Sequence, residues 1–165
     1  AELLALHRDR ATDRTAAVKL EALDDPEMGP VLRRFFSGTP GLADLLALDE
    51  LSDRKPRWAT GPYLIGRQLL QQGAPLDALP YLGRARDLGL PGRELVLENL
   101  RLLGEAAYLA GDCHRARAAL AELSEEGEPS DRVLAADLAG RCDFEERAYG
   151  GPLRPEPPAT PAASP

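Results

Sequence analysis

The sequence predicts an all-α chain made of antiparallel helical hairpins stacked side by side. Three observations carry this. Ala, Leu, Glu and Arg dominate, β-branched residues are few, and no six-residue run alternates apolar with polar, so helix is favoured over strand. Glycines and prolines, fifteen of each, punctuate the apolar-periodic segments as helix stops and starts. Three of those glycines also share a frame. Gly38, Gly73 and Gly111 each precede an alanine by five residues (Ala43, Ala78, Ala116) and a proline by eighteen (Pro56, Pro91, Pro129), at periods of 35 and 38.

The elements follow in order. Residues 1–25 read as an N-terminal helix that packs on the repeats or leads into them. Leu4, Ala11 and Val18 recur at seven, Ala16, Leu20 and Leu23 form a stripe, and Asp24-Asp25-Pro26 ends the helix. A short helix runs from Pro26 to Phe36 and stops at Gly38. Thr39 and Pro40 read as the N-cap and first residue of the next, in which Ala43, Leu46, Ala47 and Glu50 share a face. A helix over 57–72 follows, its start delayed to Thr60 by Gly61-Pro62. The helix over 74–90 carries Pro80 within its first turns, and another spans 91–110. Asp112 caps a helix over 113–124, and the loop EEGEPSD leads to a last helix from Ser130 to Ala148. The repeat domain is thus 26–148. From Tyr149 to Pro165 six prolines fall in seventeen residues, the composition of an extended, solvated tail. Pro152 and Pro155 have the spacing of an SH3-type ligand, but such spacing is common in any Pro-rich segment and a solvated tail is the preferred reading.

The frame has a physical meaning. Glycine ends one helix because it tolerates the left-handed conformation, a small alanine lets the second helix pack closely, and proline restarts the chain. A single hairpin cannot bury its apolar face, but stacked neighbours can. The middle of the chain, about 60–147, resembles tetratricopeptide repeats. One unit has Ile65-Gly66, Leu69, Gly73, Ala78, Leu82 and Pro91. The next has Leu103-Gly104, Ala107, Gly111, Ala116, Leu120 and Pro129. Leu138-Ala139 followed by Cys142 opens a half repeat behind. The unit over 26–55 keeps the Gly–Ala–Pro frame but has no Leu-Gly before it. Leu and Ala replace the large aromatics of the family pattern, and three extra residues follow Pro91. The resemblance implies a short right-handed superhelix whose first helices line a concave groove that holds a peptide or partner protein. It places Tyr63, Arg67 and Gln71 there from one helix and Arg101, Glu105 and Tyr108 from the next. Helical spacing puts each trio on one face. The arginines hint at an acidic or carboxylate-bearing ligand, countered by Glu98 and Glu105.

Composition limits the other function classes. The net charge is -7, with the arginines interspersed among 27 acids, which argues against nucleic acid as a partner. No apolar stretch reaches a membrane span and no signal peptide is visible, so membrane insertion by this segment is not expected. A soluble, cytoplasmic setting is favoured over a periplasmic one. Neither G-x-x-x-x-G-K nor G-x-G-x-x-G occurs, and His7 and His114 complete no Ser/His/Asp set, so no catalytic residue and no cofactor is expected. Cys113-His114 with Cys142-Asp143 matches no zinc spacing, so no metal is expected. Cys113 and Cys142 are either two packed thiols or a bridge, since stacked hairpins bring the start of a second helix near the end of the following one. The expectation is a non-catalytic interaction module. The alternative is the C-terminal accessory or regulatory domain of a larger bacterial enzyme, membrane-bound or not, which the start at Ala1 and the Pro-rich ending would suit.

Overall fold

A computed structural model describes residues 25–36 and 39–150. The expected N-terminal helix over 1–24, His7, Gly38 and the Pro-rich segment from 151 onward lie outside the described residues. Within them are seven helices and no strand: α1 (Met28–Phe36), α2 (Leu42–Arg54), α3 (Thr60–Gln71), α4 (Pro75–Leu88), α5 (Arg93–Leu109), α6 (Cys113–Glu126) and α7 (Pro129–Tyr149). Each helix packs on the next in sequence, and α3, α5 and α7 also touch in series.

The α3–α4 and α5–α6 hairpins are built alike. Both inner turns are closed by a glycine in the left-handed region, Gly73 at φ 77° and Gly111 at φ 75°. In the first turn the Ala74 N–H donates to the Leu69 carbonyl (3.0 Å) and the Gly73 N–H to the Leu70 carbonyl (3.0 Å). In the second, Asp112 donates to Ala107 (2.8 Å) and Gly111 to Tyr108 (2.9 Å). These 6→1 and 5→2 bonds satisfy carbonyls that the helix end leaves open. The next helix then starts at once: Pro75 opens α4 without needing its missing N–H, and the Asp112 carboxylate accepts from Arg115 N–H (2.9 Å) at the start of α6.

Above each turn the helices meet at a second glycine. A Cβ on Gly66 would lie 2.7 Å from Leu82 Cγ, and one on Gly104 would lie 2.7 Å from Leu120 Cδ2. The missing side chain lets Leu82 and Leu120 lie against bare backbone, and both are buried. Ala78 and Ala116 are fully buried at the near end of the same seams. The core is continuous along the stack. Leu95 and Val96 of α5 pack towards α1, α2 and α3, while Leu97, Leu100, Leu103, Ala106 and Ala107 pack with α4, α6 and α7.

The preceding unit differs from its sequence reading. Ala43 is exposed and not packed in a seam. The face of α2 that turns inward is Leu45, Leu48, Leu51 and Ser52, whereas Leu46 points out. The helix start differs too. Gly41, not Thr39, is the N-cap, and the Asp44 carboxylate accepts from the Gly41 N–H (2.9 Å). The leucine stripe is the face buried because i, i+3 and i+6 leucines bury more apolar area than a stripe containing Ala47 and Glu50.

The glycine seams can be tested directly. Gly66→Ala should destabilise the chain by about 1–3 kcal/mol, because overpacking against Leu82 outweighs the gain in helix propensity. Gly83→Ala, a helical position whose added Cβ meets nothing within 4 Å, should stabilise it by up to about 1 kcal/mol. Urea melts of the two variants check the contrast in sign.

Candidate functional site

The residues expected to line a groove lie on α3 and α5, but the structure gives them different surroundings. Tyr63 is a correction: it is 1% exposed, a core residue among Leu64, Ile65 and the α2 leucines. Helices α2, α4 and α5 all pack on α3, so its residues from Thr60 to Gly66 are buried and only its last turn opens to solvent. Gln71 and Glu105 are exposed, and Arg67, Arg101 and Tyr108 are half-buried.

Those three half-buried groups tie each first helix to the next. Arg67 on α3 pairs with Glu98 on α5 (3.7 Å). Arg101 on α5 grips Asp131 on α7 with both arms of its guanidinium, Nη2 lying 2.9 Å from Oδ2. The Tyr108 hydroxyl on α5 donates to Glu145 Oε1 on α7 (2.8 Å). The hint of an acidic ligand is therefore dropped, since the charges of Arg67 and Arg101 are met within the chain. Of the acidic partners, the sequence points to Glu98 as a charge opposing the arginines, but not to Asp131 or Glu145. Arg67 precedes Glu98 by 31 residues and Arg101 precedes Asp131 by 30, short of the repeat periods of 35 and 38, so the repeat frame does not point to these pairs.

Asp131 is the most enclosed of these groups, with its side chain 3% exposed. It also caps α7, accepting from the Glu128 N–H (2.9 Å). The Arg101 hydrogen bonds hold its carboxyl below the usual carboxylate range, against the opposing effect of burial. The bond to Glu145 pushes the Tyr108 phenol above its ordinary value. Outside the strip, Arg117 of α6 reaches Asp143 (2.8 Å) and Glu146 (2.6 Å) on α7.

Cys113 at the start of α6 and Cys142 on α7 form a disulfide, with Cα atoms 5.7 Å apart and a sequence separation of 29. Both are buried. Such bridges persist chiefly in oxidising compartments. His114 is exposed beside the bridge. Among the described residues no group of three His, Cys, Asp or Glu is placed to hold a metal, and no helix is long and apolar enough to cross a membrane. No protein-family model, curated protein or solved structure matches the chain.

Two outcomes follow from this geometry. A carboxylate held low in the native state adds stability above its unfolded pKa of about 3.9, and that stability is lost as pH falls towards the lower native value. Asp131→Asn should thus cost about 1–3 kcal/mol at pH 7 and make the acid limb of the stability–pH curve shallower. An unchanged acid limb in chemical melts from pH 7 to pH 2 would contradict the assignment. Reducing the disulfide should lower stability by about 3–4 kcal/mol on the chain-entropy estimate for a loop of this length. Thermal melts with and without reductant measure it, and two alkylatable thiols in the unreduced protein would show that no bridge exists.

Proposed function

We propose that the chain is a non-catalytic interaction module of the tetratricopeptide type, holding a peptide or partner segment along the face of its first helices α3, α5 and α7. The observation that carries this reading is the strip of cross-helix ties, Arg67–Glu98, Arg101–Asp131 and Tyr108–Glu145. It runs through three helices in direct contact, and Gln71 and Glu105 stand exposed beside it.

Such a strip suits recognition in two ways. Its side chains are already ordered, so a ligand does not bear the cost of immobilising them. Its ionised groups are matched in sign, so the surface favours polar, near-neutral peptide groups over a strongly acidic ligand. Recognition then falls to hydrogen-bonding side chains such as Gln71 and to aromatic surface such as the flank of Tyr108. The absence of strong pulling charge fits a binder of modest affinity whose selectivity comes from shape and register along the helices.

Site-specific photo-crosslinking tests the reading. A crosslinker at Gln71 or Glu105 should capture partner protein from native lysate, while one at exposed Ala118 on α6 should not. Because neither groove position is buried, the variants keep the fold. Equal capture at all three positions, or none at Gln71 and Glu105, would sink the proposal.

A further inference from the structure

Asn99 of α5 lines a pocket of about 300 Å³ and is 1% exposed. Its Nδ2 donates to the Leu82 carbonyl of α4 (3.0 Å). A carbonyl only accepts, so this bond fixes the orientation of the amide and leaves Oδ1 as its other end. Among the described residues no group donates to Oδ1. An unmet buried acceptor is costly, and a donor that reaches it removes the cost. The pocket lies between the end of α4, the first turns of α5 and the end of α6. Leu90, Val96 and Leu100 give it apolar walls. Its charged lining is Arg86, Asp87, Glu122 and Glu126. Both arms of Arg86 bind Glu122, with Nε 3.0 Å from Oε2. Asp87 and Glu126 form no ion pair among the described residues. Arg93 reaches the Glu126 backbone carbonyl, and with it counted the rim still holds one more carboxylate than guanidinium.

We propose that this pocket binds a primary ammonium on a short aliphatic stem. One of its N–H groups meets Asn99 Oδ1, its charge is favoured by Asp87 and Glu126, and its stem lies against Leu90, Val96 and Leu100. An ammonium has three donors and no acceptor, which matches an unmet acceptor beside unpaired carboxylates. Other ligand classes fit less well. A carboxylate would bring like charges together and leave Oδ1 unmet, and an apolar ligand would also leave it unmet. The volume is at the lower end of small-ligand pockets, which suits a short stem. The ammonium could be carried by a free alkylamine or by a lysine side chain, and the chemistry of the contact is the same. The pocket shares no residue with the strip of cross-helix ties or with Gln71 and Glu105, so this site and the proposed groove can fail independently.

Titration of the full chain with n-butylammonium, followed by NMR, tests it. The expected result is saturable binding in the millimolar range, with the Asn99 side-chain amide and the Leu90 and Val96 backbone amides shifting together. n-Butanol, the same stem without the charge, should bind several-fold more weakly. Asp87→Asn with Glu126→Gln, both at exposed positions, should weaken butylammonium by about three- to tenfold. Asn99→Leu, similar in size but without the acceptor, should weaken it by more than about tenfold. If that variant does not fold, the carboxylate pair and the butanol comparison still decide. A blocked lysine amide that binds as tightly as butylammonium assigns the site to a lysine side chain, and binding of butylammonium alone assigns it to a free amine. The proposal is overturned by the absence of saturable shifts, by butanol binding as well as butylammonium, or by affinity that neither Asn99→Leu nor the carboxylate pair changes.

Discussion

Leu82 lies against the bare backbone of Gly66, and Leu120 lies in the same way against Gly104. Each contact brings two helices closer than any side chain at the glycine would allow. At that separation the leucine is fully desolvated, and burial of a leucine side chain contributes about 1.5–3 kcal/mol. The inner-turn glycines, the buried alanines and the starting prolines all serve this spacing. They fix where each hairpin turns, how far apart its helices run and where the next pair begins. Because α5 packs in both directions at once, the position set by one seam carries over to the next.

The same spacing determines what the polar strip can do. With α3, α5 and α7 in contact, an arginine on one reaches an acid on the next. A half-buried arginine seeks a carboxylate, and these two find one within the chain. They lock the first helices in register, and the surface exposed beside them is polar and nearly balanced in charge.

Helix α7 depends on links that differ from those of the earlier helices. Its own buried side chains are few and small apart from Leu138. Its hold comes from the disulfide to α6, the Arg101 grip on Asp131, and the Arg117 bonds to Asp143 and Glu146. Polar and covalent ties thus replace the apolar seam that a covering helix would supply. Among the described residues, one face of α7 is left exposed.

Much of the fold was legible in the chain. Composition excluded strands, and Gly73, Gly111, Ala78, Ala116 and Asp112 announced their turns, seams and cap, because turn chemistry and helix periodicity are local properties. The preceding unit was misread, since Ala43 had the right spacing but the leucines set a different face. Of the residues expected to line a groove, Gln71 and Glu105 are exposed, whereas Tyr63 belongs to the core and both arginines are paired. Nothing local distinguishes a tyrosine on a three-sided helix from one on an open helix. The sequence by itself determined the helices, their order and the two matched hairpins. Only the tertiary structure decided which polar side chains remain available and that Cys113 meets Cys142, because burial and charge pairing are set by residues about 30 positions apart that only packing brings together.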